Sequence, residues 1–264
     1  MPKIRQDEFS LLLEKTELGH IISASSLIAD RVVALKVLRE LVFEPKHRRT
    51  IKERGELDVL VRDNTWIFGE GFHFTIAEAG LTKIMHRVSE ELALKRRKGD
   101  KARKLDGSAG RVDAFMGRSV PHADHQHQEF LLVELKRPSI NVGRKELDQL
   151  EDYVNAMLAQ PDFINTSTFW NFYLVTGEYD PVVKERVTQK DRPVGLFLDK
   201  PNHKVWVKSW AELIRDCEGR LEFIQKKLQI QVSADEIETR ISQLKASILK
   251  FDAPREGNNS PNDV

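Results

Sequence analysis

The feature that most limits what this chain can become is Phe130-Leu131-Leu132-Val133, an unbroken apolar run that ends directly in Glu134-Leu135-Lys136-Arg137-Pro138. Such a run, stopped by a proline, reads as a strand buried on both faces. Side chains alternate along a strand, so Glu134 and Lys136 point to the same side of it. A strand buried on both faces needs cover on each side; the fold expected is α/β, with a central mixed β-sheet flanked by helices.

The flanking sequence supplies partners for this strand end. Asp106 to Gly110 has the composition of a turn, and Arg111 to Met116 reads as a strand carrying Asp113. Downstream, Leu147, Leu150, Val154, Met157 and Leu158 fall on one face of a helix from Lys145 to Leu158, and Gln149 and Tyr153 flank that face one turn apart. Upstream, Leu27, Ile28, Ala34, Leu35, Leu38 and Leu41 predict an amphipathic helix from Ser25 to Val42, stopped by Pro45. A second helix is expected to run through Val61 with Leu57, Leu60 and Val61 as its apolar stripe and Glu56 beside it. Phe72 to Leu94 reads as a short strand followed by irregular or helical structure.

Further strands are expected at Phe169–Thr176, Val194–Leu198 and Val205–Val207, and a helix from Ser209. Ser233 and Glu236 have capping-box spacing ahead of Ile237, Ile241, Leu244 and Ile248. That stripe must be buried either on this chain or against a second copy. The expected division is an N-terminal helical segment over 1–49, a main domain over 50–228, a C-terminal helix over 229–251 and a disordered tail over 252–264.

Charge and cysteine content narrow the class. Lysines and arginines nearly cancel the acids at a net charge of +1, so nucleic-acid contact must come from local clusters. The most basic window is Lys95 to Lys104, beginning Lys95-Arg96-Arg97-Lys98; it reads equally as a solvated loop or a phosphate contact. His122, Asp124, His125 and His127 invite a zinc reading, but they lack the paired spacing of structural sites. A single cysteine, Cys217, fits a reducing compartment, and no segment reads as a signal peptide or membrane span, so the expectation is a cytoplasmic protein with no membrane partner.

These residue types suit phosphodiester hydrolysis. The reaction calls for a divalent ion held by hard oxygen ligands, and carboxylates at the ends of adjacent strands supply them. Asp113 and Glu134, with the main-chain carbonyl of Leu135, are the candidate ligands for Mg2+ or Mn2+, and the Lys136 ammonium would steady developing negative charge. An acid-x-lysine triplet alone is weak, since Glu44-Pro45-Lys46 matches it too. The plain alternative is an ion-paired strand end.

The set Asp113, Glu134-Leu135-Lys136, Gln149 and Tyr153 resembles the PD-(D/E)xK nuclease superfamily, with the last two matching the Q-x-x-x-Y element of its RecB-like branch. Val112 stands where the name has proline. The resemblance implies a restriction-endonuclease-like core and an acid on the preceding helix, for which Glu56 is the first candidate and Glu53 or Glu70 the others. Over about residues 50–228, Glu56 to Gly69 (a helix, then Asn64 to Gly69), Gly110 to Asp113, Val133 to Pro138 and Gln149 to Tyr153 look like the Shedu-type immune nuclease domain, with Asn64-Thr65 departing from an asparagine-proline pair. That likeness implies a Mg-dependent DNA endonuclease in anti-phage defence, acting on double-stranded DNA as a homo-oligomer. Arg111, Arg137 and Lys145 join Lys95, Arg96, Arg97 and Lys98 as DNA-contact candidates; Gln149 would orient Lys136 or a metal-bound water, and Tyr153 would contact the backbone or brace the helix. The rival readings are a catalytically silent DNA-binding module and an oligomeric interaction scaffold.

Overall fold

The computed structural model describes residues 3–95, 101–104, 106–121, 126–160 and 168–251. Its strands are β1 (Phe74–Gly80), β2 (Arg111–Pro121), β3 (Gln126–Leu135), β4 (Asn141–Val142), β5 (Thr168–Thr176), β6 (Glu178–Tyr179), β7 (Leu196–Lys200) and β8 (His203–Ser209). Six of them form one sheet in the order β1-β2-β3-β5-β8-β7, while β4 and β6 make a separate parallel pair. β1, β2 and β3 pair antiparallel; β3, β5 and β8 pair parallel; β7 closes the edge antiparallel to β8. The sheet is therefore mixed, as expected.

Helices cover both faces. They are α1 (Lys3–Leu13), α2 (Leu18–Phe43), α3 (Pro45–Arg48), α4 (Asp58–Asp63), α5 (Leu81–Glu91), α6 (Arg144–Leu158), α7 (Pro181–Val187), α8 (Trp210–Leu228) and α9 (Ala234–Phe251). Leu131, Val133 and Leu135 of β3 pack with α2, α4, α8 and Ile241 of α9. Phe130 and Leu132 face the other way, into a core shared with α5, α6 and α7. Complete burial of such side chains contributes about 1.5–3 kcal/mol each, so β3 is the most firmly held strand end on which to mount charged groups.

Local chemistry sets the helix ends. Ser209 Oγ accepts the Glu212 N–H and Glu212 returns a carboxylate oxygen to the Ser209 N–H, a capping box that starts α8. α6 begins after Gly143, whose N–H is held by Glu146 Oε2 at 2.9 Å, and it buries Leu147, Leu150, Tyr153, Val154 and Met157.

Several expectations change. α2 starts at Leu18 rather than Ser25, and Leu27, expected on its apolar stripe, is 56% exposed. The ambiguous Phe72–Leu94 region resolves into β1 and α5. The helix expected through Glu56 is broken: Arg54 is extended and Gly55 has φ +85°, a left-handed conformation that glycine adopts without a Cβ penalty. Glu53 and Glu56 therefore lie on opposite sides of a turn. The C-terminal stripe packs on this chain, with Ile241 buried and Ile237 and Leu244 against the same core. The tail from Asp252 and the group His122, Asp124 and His125 lie outside the described residues.

Candidate active site

The β2–β3 ladder runs as far as Ala114 opposite Val133. In that register the next residues to face each other are Asp113 and Glu134, and there the strands part. Asp113 lies near the start of β2, not its end, but β2 is antiparallel to β3, so both acids sit at one edge of the sheet. Asp113 Oδ2 fills the gap by accepting the Leu135 N–H at 2.7 Å. Leu135 itself is fully buried.

Both acids are buried, at 7% and 6% exposure. Glu134 Oε1 accepts Lys136 Nζ at 2.9 Å and Gln149 Nε2 at 3.0 Å, whereas Glu134 Oε2 is buried with no hydrogen-bond partner. Gln149 Nε2 also reaches the Tyr153 hydroxyl at 3.0 Å, and that hydroxyl donates to the Arg111 carbonyl at 2.8 Å. One turn of α6 thus spans from the β3 acid to the strand carrying Asp113. Gly110 has no Cβ because one would stand 3.0 Å from the Tyr153 ring and closer still to Leu81.

Lys136 is held through its backbone. Its N–H donates to the Val175 carbonyl at 2.7 Å, and its carbonyl accepts Trp210 Nε1 at 2.8 Å. Neither partner is legible in the sequence; a tryptophan directly after a helix-capping serine gives no hint of its long-range contact. Beneath the loop, a Cβ on Gly177 would lie 2.0 Å from the Pro138 carbonyl oxygen, so this glycine permits the close approach.

Crowding two carboxylates in a dry pocket shifts their titration. Burial first, and then the neighbouring Glu134 charge, push Asp113 up to about 7. Burial likewise raises Glu134, partly offset by Lys136. Burial alone would lower Lys136, but the charge and hydrogen bond of Glu134 outweigh it, so the ammonium is retained. Burial and Glu134 also raise the Tyr153 phenol.

Glu53 is the third acid at this edge. Its Oε1 accepts the Arg137 N–H at 3.0 Å and lies 3.9 Å from Arg137 Nε, and its charge acts on Asp113, Glu134 and Lys136. Glu56, the first candidate for this place, turns away to accept the Lys52 N–H at 2.7 Å. Glu70 is paired with Arg31 at 2.8 and 2.9 Å. Of the three candidates, the structure places Glu53 rather than Glu56 or Glu70 near Asp113 and Glu134, and the sequence signal was Gly55, which breaks the helix between Glu53 and Glu56.

The residues present are hard oxygen donors of the kind a divalent ion takes, although the oxygens of Asp113, Glu134 and Glu53 do not all lie within 4.8 Å of one another. Asp113, Glu134 and Glu53 bring three carboxylates to one edge against Lys136 and Arg137, and one buried carboxylate oxygen has no donor. Of the basic candidates, Arg111 is tied to Glu78 and Arg137 to Glu53, while Lys95 and Lys145 are exposed. Arg96, Arg97 and Lys98 lie outside the described residues. Lys104 Nζ comes within 4.7 Å of the Tyr153 ring centre, which brings this lysine beside the site.

Elsewhere, Glu40, His47 and Glu238 bring ligand atoms within 4.8 Å of one another, a spacing compatible with a divalent metal. No helix among the described residues is long and apolar enough to cross a membrane.

No protein-family model matches the chain, and no curated protein matches it. Among solved structures it is similar to the DNA modification-dependent restriction endonuclease AspBHI, at 12% identity and a TM-score of 0.35. The match covers 82% of this chain and 40% of that one, so the chain spans well under half of that protein's length. The chain's own architecture is an α/β layout with a central mixed sheet flanked by helices. The case for chemistry therefore stands on the side chains at the sheet edge.

Proposed function

We propose that the chain is a metal-dependent nuclease that hydrolyses phosphodiester bonds in double-stranded DNA, with Asp113, Glu134 and Lys136 as its catalytic core. The observation that carries this reading is the pair of buried acids at the parted strand ends, with Lys136 and Gln149 on one oxygen of Glu134 and nothing on the other. Asp113 and Glu134 would hold Mg2+ or Mn2+, with Glu53 and the Leu135 carbonyl completing the set. When bound, the ion neutralises phosphate oxygens and acidifies water.

The protein's own groups do the rest. Lys136 presents a fixed ammonium toward charge that develops on the phosphate, and its anchored backbone limits reorganisation. Gln149 orients Glu134, and Tyr153 fixes Gln149 relative to β2. Lys104 and Lys145 offer phosphate contacts beside the site, and Arg137 does so once Glu53 turns toward the ion. The motif likeness to Shedu-type domains supports a defence role and a homo-oligomeric, cytoplasmic protein.

The test incubates purified protein with supercoiled and with linear duplex DNA in magnesium, manganese or chelator, beside Lys136→Ala. The reading predicts cleavage that needs metal and disappears in the variant. DNA binding without cleavage under every metal condition would favour the silent-module alternative.

A further inference from the structure

The cluster of Glu40, His47 and Glu238 is separate from the acids at the sheet edge and joins three helices. Glu40 lies on α2, His47 on α3 and Glu238 on α9, the C-terminal helix. His47 is 7% exposed, and its Nε2 is buried without a hydrogen-bond partner. A buried imidazole nitrogen with nothing to bond is costly unless something supplies a partner.

The other polar contacts are a lysine pair. Lys46 Nζ sits 2.5 Å from Glu238 and 3.8 Å from Glu40, and Lys245 Nζ lies 3.4 Å from His47 Nδ1. Lys46 balances the carboxylates but is more than half exposed on a flexible stem, so it can leave without opening the core. It does nothing for Nε2. One imidazole and two carboxylates form a donor set that zinc-class ions favour over magnesium, which prefers oxygen and water.

We propose that Glu40, His47 and Glu238 form a structural site for a zinc-class divalent cation that clamps α9 to the α2–α3 corner. The ion takes the lone pair of one His47 ring nitrogen with the ring proton on the other, and Lys46 and Lys245, which now face the cluster, turn toward solvent. No proton is released from the ring. The clamp bears on the catalytic edge because α9 also packs against the Glu53–Leu57 turn. The zinc site stands or falls independently of the nuclease reading.

The experiment titrates zinc chloride into chelator-stripped full-length protein held in excess magnesium, by calorimetry, and follows hydrogen exchange over residues 234–246. One equivalent should bind, with exchange in α9 slowed. Glu238→Gln and His47→Gln should each weaken zinc by at least about tenfold. Glu238 is half exposed, so its variant reports even if the buried histidine variant folds poorly. Asp113→Asn should bind zinc as the wild type does, and Lys46→Met should bind it as tightly or more tightly, since a competing cation is gone. Zinc binding that survives Glu238→Gln, vanishes in Asp113→Asn or is absent in the wild type would overturn the proposal.

Discussion

Replacing Asp113 with asparagine should make the metal-free protein more stable, and increasingly so as pH rises. The asparagine side chain keeps an oxygen for the Leu135 N–H, so the strand junction is preserved while one of two crowded charges is removed. The folded protein holds a proton on Asp113 up to about pH 7, whereas the unfolded chain releases it near the ordinary value of 3.8. Wild-type stability therefore falls as pH rises across that window and is flat above it. At about 1.4 kcal/mol per pH unit, the ceiling on the cost is about 4 kcal/mol, and relaxation around the pair brings the expected gain to roughly 2–4 kcal/mol. For a chain of this size that corresponds to roughly 5–15 °C in Tm at pH 8, shrinking to a third or so of that at pH 5. Thermal melts in chelator at several pH values read it directly. Added magnesium should then raise the wild-type Tm and leave Asp113→Asn unmoved. A gap that does not widen with pH, or an equal response to magnesium, would refute the picture of two dry, crowded carboxylates awaiting a cation.

Other perturbations separate neighbouring roles. Lys136→Ala should lower DNA cleavage by about two to three orders of magnitude in a plasmid-nicking assay while duplex binding persists. Glu53→Gln should lower cleavage by at least about tenfold, whereas Glu56→Ala should cleave normally and lose only about 0.5–1 kcal/mol of stability with its bond to the Lys52 N–H; the reverse order would restore Glu56 to the site. Tyr153→Phe, which removes the hydroxyl joining Gln149 to the Arg111 carbonyl, should cost about 1 kcal/mol in denaturant melts and reduce cleavage without abolishing it. Gly177→Ala, by forcing a methyl group toward the Pro138 carbonyl, should destabilise the protein by more than about 1 kcal/mol and reduce cleavage through the displaced Lys136–Pro138 segment.

What the sequence determined by itself is whatever rests on short-range periodicity. The apolar run ending at Val133 dictated a strand covered on both faces, and alternation placed Glu134 and Lys136 on one side of it. Helical spacing put Gln149 one turn before Tyr153, and serine-to-glutamate spacing marked the start of α9. Each of these follows from the geometry of a single element. Tertiary structure decided the rest because it depends on which distant segments meet. Antiparallel pairing, not the position of Asp113 within its strand, brings that acid opposite Glu134. The left-handed Gly55 breaks the helix so that Glu53 rather than Glu56 lies near the two acids. Trp210 reaches across the chain to the Lys136 carbonyl, and α9 folds its apolar stripe back onto α2, carrying Glu238 to His47. Neighbour relations of this kind are fixed by long-range packing and charge burial, which leave no periodic trace in the chain.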